Sequence, residues 1–126
     1  MTPIAAIAQS GLVAATLKLT TSAANIANAD DRSRMGARGY QPLRTVQAAS
    51  PTGGVTAQAV TLKPGTAVIY DPTSSLANVR GFVQAPEIDP ISEVSNMIAA
   101  GQAFAFQVKV LKVADKEQKS LLDVKA

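Results

Sequence analysis

The sequence predicts an α+β fold: N- and C-terminal heptad helices packing together as a helical stalk, with a small antiparallel β region between them. Three observations predict it. Small and apolar residues recur at alternating spacings of three and four near both ends of the 126-residue chain. Glycine and proline cluster between those stretches, where β-branched residues also gather. The organisation is therefore read as residues 1–31, an N-terminal helix; residues 32–88, a β region; and residues 89–126, a C-terminal helix.

Residues 3–29 read as one helix because alanine, the strongest helix former, dominates and no proline intervenes between Pro3 and Pro42. Thr2 before Pro3 supplies an N-cap and a first-turn proline. Ala5, Ala8, Leu12, Ala15, Leu19, Ser22 and Ile26 form a heptad seam with only three large side chains. At about 1.5–3 kcal/mol per fully buried aliphatic, such a seam is marginal against about 1–2 kcal/mol per ordered backbone residue. It needs a partner helix. Asn25 and Asn28 are poor helix formers near its end, so each should have a hydrogen-bonding task, either capping or contact with a neighbouring chain.

Between Gly36 and Pro86 the breaks divide the chain into short units. Leu43–Ala49, Val55–Leu62, Thr66–Tyr70 and Phe82–Ala85 read as strands of one small antiparallel sheet, the first two joined by Pro51-Thr52-Gly53-Gly54. Val55, Ala57, Ala59 and Thr61 form one side of the second strand. Residues 89–124 then read as a second helix, with Asp89 as N-cap, Pro90 in the first turn and Glu93 near the positive end of the helix dipole. Its expected seam is Met97, Gly101, Phe104, Val108, Leu111, Asp115, Gln118 and Leu122, widened at the start by Ile91, Val94 and Ile98.

Composition narrows the chemistry. The chain has no cysteine, histidine or tryptophan, and only 4% of it is aromatic. Thiol catalysis, Ser-His-Asp triads and metal sites built on Cys or His are thereby excluded. Asp71 with Glu87 or Asp89 is the one carboxylate pair worth weighing for acid–base work, against turn formation at Asp71 and helix capping at Asp89. Gly36-Ala37-Arg38-Gly39 lacks the remaining glycines and the strand-to-helix setting of a nucleotide loop. Net charge is +3. The segment from Arg32 to Lys63 holds five basic residues and no acid, so a nucleic-acid-binding module using Arg32, Arg34, Arg38 and Arg44 is the alternative reading. Tyr40 is the only aromatic among them, which leaves no stacking platform. The apolar N-terminus ends in Ala27-Asn28-Ala29, yet its first basic residue, Lys18, lies inside the apolar run, contrary to a cleavable signal. Gln9, Ser10 and Lys18 also interrupt it as a membrane span, so no span is expected.

Specific motifs sharpen this plan. Ser22-Ala23-Ala24-Asn25-Ile26-Ala27-Asn28-Ala29 resembles the Ala-Asn-Asn-Leu-Ala-Asn signature of flagellar rod and hook proteins. The run from Tyr70-Asp71-Pro72 through Leu76-Ala77 and Gly81-Phe82-Val83 to Pro86-Glu87-Ile88-Asp89 resembles the proximal rod family FlgC. Ser75, Glu87 and Gln107 depart from that pattern. The resemblance implies a structural subunit of the basal-body rod, not an enzyme, without cofactor or small-molecule substrate. It implies self-association, contacts with other rod proteins, and passage through the flagellar type III export apparatus without a cleaved signal. The rod would cross the periplasm as a hollow shaft that transmits torque and conducts exported chains. The expected assembly residues are Leu12, Leu19, Asn25, Ile26, Asn28, Ile98, Phe104, Val108 and Leu111. Tyr70, Asp71, Pro72, Leu76, Ala77, Gly81, Phe82 and Pro86 carry the β-region motif.

Overall fold

A computed structural model describes residues 3–125. Thr2, the expected cap of the first helix, lies outside the described residues. The order is α1 (Pro3–Ala27), β1 (Leu43–Ala49), β2 (Val55–Thr61), β3 (Thr66–Tyr70), β4 (Phe82–Pro86) and α2 (Pro90–Lys125). The α+β plan and the helix pairing hold.

α1 stops two residues earlier than its periodicity suggests. Asn28 satisfies the orphan carbonyl of Ala24 twice, through its backbone N–H at 3.1 Å and its side-chain Nδ2 at 2.8 Å, and turns follow. At the start of α2, the carboxylate of Asp89 accepts from the Ile91 N–H at 3.2 Å and from the Ser92 hydroxyl at 2.6 Å. The Ser92 and Ile91 hydrogen bonds hold the Asp89 carboxyl below its ordinary range.

The helices pack antiparallel, with Gly11 beside Gln107 and Ala5 sharing a cleft with Leu111 and Ala114. A Cβ on Gly11 would lie 2.7 Å from Gln107 Nε2, so this glycine makes room for the Gln107 side chain between the helices. The expected seams need correction. α1 does bury Ala8, Ala15 and Ser22, but its other buried positions are Ala14, Thr21 and Asn25, while Leu19 is 37% exposed. α2 turns a face one residue away from the expected one: Ala100 and Ala114 are buried, and Gly101 and Asp115 face outward. A step of three and four fits two adjacent helix faces equally well. The chain places its small side chains between the helices and leaves Ile91, Val94, Ile98 and Phe106 exposed.

One sheet was expected, and two two-stranded antiparallel sheets form instead, β1 with β2 and β3 with β4. The Ser50 N–H bonds the Gly54 carbonyl at 3.0 Å and the Gly53 N–H bonds the Ser50 carbonyl at 3.0 Å, closing the expected 51–54 turn. The β1–β2 hairpin lies on α1, with Thr45 bonded to Thr21 and Val55 and Ala57 half-buried. The β3–β4 pair is held by Ser33, which bridges to Gln84, and by the Glu87 N–H on the Gly65 carbonyl at 2.8 Å. Val83 and Ala85 are buried there. The separation of the sheets follows from Leu62 to Gly65, where the chain leaves the first hairpin before starting the second.

Residues 71–81 link β3 to β4 and are closed by the Asp71 N–H on the Gly81 carbonyl at 2.8 Å. Asn78 Oδ1 accepts from the N–H groups of Arg80 and Phe82. Gly81 has φ +82°, and an added Cβ would stand 2.8 Å from Tyr70 Cε2. Gly81→Ala is therefore expected to cost about 2 kcal/mol through left-handed strain and displacement of the Tyr70 ring. Urea denaturation of the two proteins side by side checks it; an unchanged midpoint would contradict the stated role of this glycine.

Candidate assembly surfaces

The hairpin is fixed to α1 by polar pins. Asn25, only 1% exposed, donates from Nδ2 to the Leu43 carbonyl at 2.8 Å, while its Oδ1 accepts from the Leu43 N–H and the Tyr40 hydroxyl, each at 2.9 Å. It neither caps the helix nor faces outward. At the far end of the hairpin, the Ser10 hydroxyl accepts from the Val55 N–H at 3.1 Å. Burial, and then the charge of Glu93 on α2, push the Tyr40 hydroxyl above its ordinary pKa. One joint thus gathers α1, the start of β1 and the start of α2.

The remaining residues expected at an assembly surface divide by exposure. Leu19, Ile98 and Phe104 are exposed, whereas Leu12, Ile26, Val108 and Leu111 are half-buried and Asn28 completes the end of α1. The seam assignment missed Ser10, Thr21 and Gln107. Only Gly11, an isolated glycine in an alanine-rich helix, marks a close approach in the sequence.

The β-region motif residues lie together in the β3–β4 pair and the loop that links its strands. Tyr70 and Phe82 pack edge to face with ring centroids 5.4 Å apart, Pro86 is buried at the end of β4, and Leu76 and Ala77 are half-buried in the 71–81 loop. The Asp71 carboxylate accepts the Thr73 hydroxyl at 2.9 Å, and Pro72 stands against Gly81. Asp71 and Asp89 thus have turn and capping partners. Among the described residues neither of them is hydrogen-bonded to Glu87. Among the described residues there is no cluster of three or more acidic side chains able to hold a metal. Arg34, Arg38 and Arg44 are exposed and Arg32 is half-buried.

Both helices are long and apolar enough, by length and composition, to cross a membrane. Val13 and Leu19 on α1 and Ile91 and Ile98 on α2 are exposed, and Ile4 and Phe106 line an open cleft between the helices.

Comparisons with known proteins point the same way. A family model described as flagellar basal body rod FlgEFG protein C-terminal matches residues 79–124. The flagellar basal-body rod protein FlgC of Buchnera aphidicola is 34% identical over 116 residues, which span 86% of this chain and 85% of that protein. The FlgC protein of Escherichia coli O6:H1 is 35% identical over 83% of each chain. That of Aquifex aeolicus is 27% identical over 85% of this chain and 84% of its own.

Proposed function

Since this chain belongs to the FlgC family of flagellar basal-body rod proteins, we propose that it polymerises through its terminal helices into the hollow shaft that transmits torque and conducts exported chains. It is a structural subunit of the rod and resides in the flagellar basal body. The observation that carries the assembly reading is the pair of outward helix sides. α1 and α2 satisfy one another through Ala8, Ala15, Ala100 and Ala114, yet keep larger side chains in solvent. Neighbouring subunits cover those side chains in the rod, and a contact between unlike surfaces that does not close extends without limit into a helical array.

Leu12, Leu19, Ile26, Ile98, Phe104, Val108 and Leu111 are the side chains proposed to meet neighbours. Asn25 and Asn28 contribute indirectly, by setting how α1 ends and where the hairpin lies. Protein neighbours rather than lipid cover these surfaces because Lys18 stands in mid-α1, and α2 carries Lys109, Lys112, Asp115 and Lys116 in its second half. Passage through the flagellar type III apparatus without cleavage accords with Lys18 lying inside the apolar run. A rod crossing the periplasm meets other rod proteins at its two ends. No cofactor, substrate or catalytic step belongs to this role.

The test is mass spectrometry of purified hook–basal bodies. The protein is expected there with its N-terminal residues intact. Absence from basal bodies of motile cells that express it would overturn the proposal; a shortened N-terminus would overturn uncleaved export alone.

A further inference from the structure

A groove runs along α1 between two walls, the β1–β2 hairpin on one side and α2 on the other. Among the described residues no Cα of α2 lies within 8 Å of a strand Cα, which leaves the groove open. Its two stretches, of about 360 and 340 Å³, share Lys18. They extend from Ile7 to Ser22, about 22 Å along the helix at 1.5 Å per residue. The first stretch is floored by Gly11 and Ala14 and walled by Ala99 and Ala103, so it is wide and shallow. The second carries Lys18 and Arg44 with Glu93 opposite, a net positive end. Among the described residues the only salt bridge joins Lys119 to Asp115, so neither cation has a carboxylate partner among them.

The start of α2 has the complementary form. Ile91, Val94 and Ile98 are 78%, 47% and 58% exposed and lie at helical spacing on the side turned away from α1. Glu87, exposed, and Asp89, engaged with Ser92, immediately precede them. Large side chains thus follow an acidic end, where the groove has small side chains following a basic one. Because groove and ridge lie on different sides of one molecule, no copy can satisfy itself.

We propose that this groove receives the start of α2 from a second copy of the chain, with Ile91, Val94 and Ile98 seated along Gly11, Ala14 and Ala103, and Glu87 and Asp89 meeting Lys18 and Arg44. The inference rests on the rod-subunit reading and adds which two surfaces meet. Gly11 stands beside Gln107, so Lys18 lies level with Ala100. Pairing the charges then brings Val94 of one copy to about the level of Ala103 of the next, the two α2 helices running parallel. The contact is heterologous and propagates.

The chain has no cysteine, so an engineered pair reports without background. Basal bodies from cells carrying the double variant Val94→Cys with Ala103→Cys are oxidised and resolved without reductant. Within one chain these positions are nine residues apart on one helix, about 13 Å, beyond disulfide reach. A ladder of covalent multimers is expected, absent from each single variant. Rods that contain the double variant without the ladder, or a disulfide to a different rod protein, would overturn the groove assignment while leaving the rod-subunit reading intact. Loss of the protein from basal bodies in the unaltered strain would overturn both. Charge reversal decides the matter if the cysteine chain fails to assemble: Lys18→Glu should lower incorporation about fivefold and added Glu87→Lys should restore it. Equal loss in the single and double reversals would contradict the pairing.

Discussion

Asn25→Ala is expected to lower the free energy of unfolding by about 3 kcal/mol, the largest stability loss from any single polar truncation in this chain. The magnitude follows from what remains after the side chain is removed. The Leu43 N–H and carbonyl and the Tyr40 hydroxyl all bond to Asn25, which is 1% exposed. Each would be left in a site that water reaches poorly, at about 1–3 kcal/mol per unsatisfied group, moderated by relaxation of the β1 end. Tyr40→Phe removes a single hydrogen bond and should cost about 1 kcal/mol. Asn25→Asp keeps the oxygen that accepts from the Leu43 N–H and the Tyr40 hydroxyl but turns a second carboxylate oxygen toward the Leu43 carbonyl, so it should not rescue. Urea denaturation ranks the three. Amide exchange locates the effect, with faster exchange expected at Leu43 and along β1. A loss below 1 kcal/mol for Asn25→Ala would contradict the joint.

Leu19→Asp has the largest expected effect on assembly. At 37% exposure this side chain is about two-thirds covered within the chain, so the isolated variant should keep its helix content but lose about 1–2 kcal/mol of stability. In the proposed rod packing the same position faces a neighbour, where a desolvated, unpaired carboxylate would cost several kcal/mol. Incorporation should fall by about a hundredfold or more, and cells carrying only this variant should be non-motile, while the chain still leaves the cytoplasm. Motility assays and immunoblots of basal bodies report the two outcomes. A motile strain would remove Leu19 from the assembly surface, as would an isolated variant that fails to fold.

The elements were legible because their signals are local. Alanine content, Pro3 and Pro90, and Asp89 before its helix define the two helices. Gly53-Gly54 define the hairpin turn. The face of α1 was partly legible, through Ala8, Ala15 and Ser22, and that of α2 was not, because a three-and-four spacing does not distinguish a seam from its neighbour one residue away. Choosing the larger side chains placed Leu19 and Phe104 inside, whereas the close approach of Gly11 to Gln107 selects the small ones. A role for Asn25 was legible, but its partner was not, since Leu43 is eighteen residues distant and only the folded path of the 28–42 segment brings it near. The two-sheet arrangement was likewise hidden, because strand periodicity does not state which strands pair. Gly81 and Tyr70 stood out through the family motif. Their physical connection, a ring against a left-handed glycine, required the coordinates.

The central claim is that the exposed outward side of the terminal helices becomes covered when the chain enters the rod. Ile98→Cys places the chain's sole thiol on that side of α2, where the native side chain is 58% exposed. Maleimide labelling of the free chain and of intact basal bodies compares the two states directly. The account predicts rapid labelling of the free chain and at least tenfold slower labelling in basal bodies, with reactivity restored on denaturation. Equal labelling rates in the two states would contradict it.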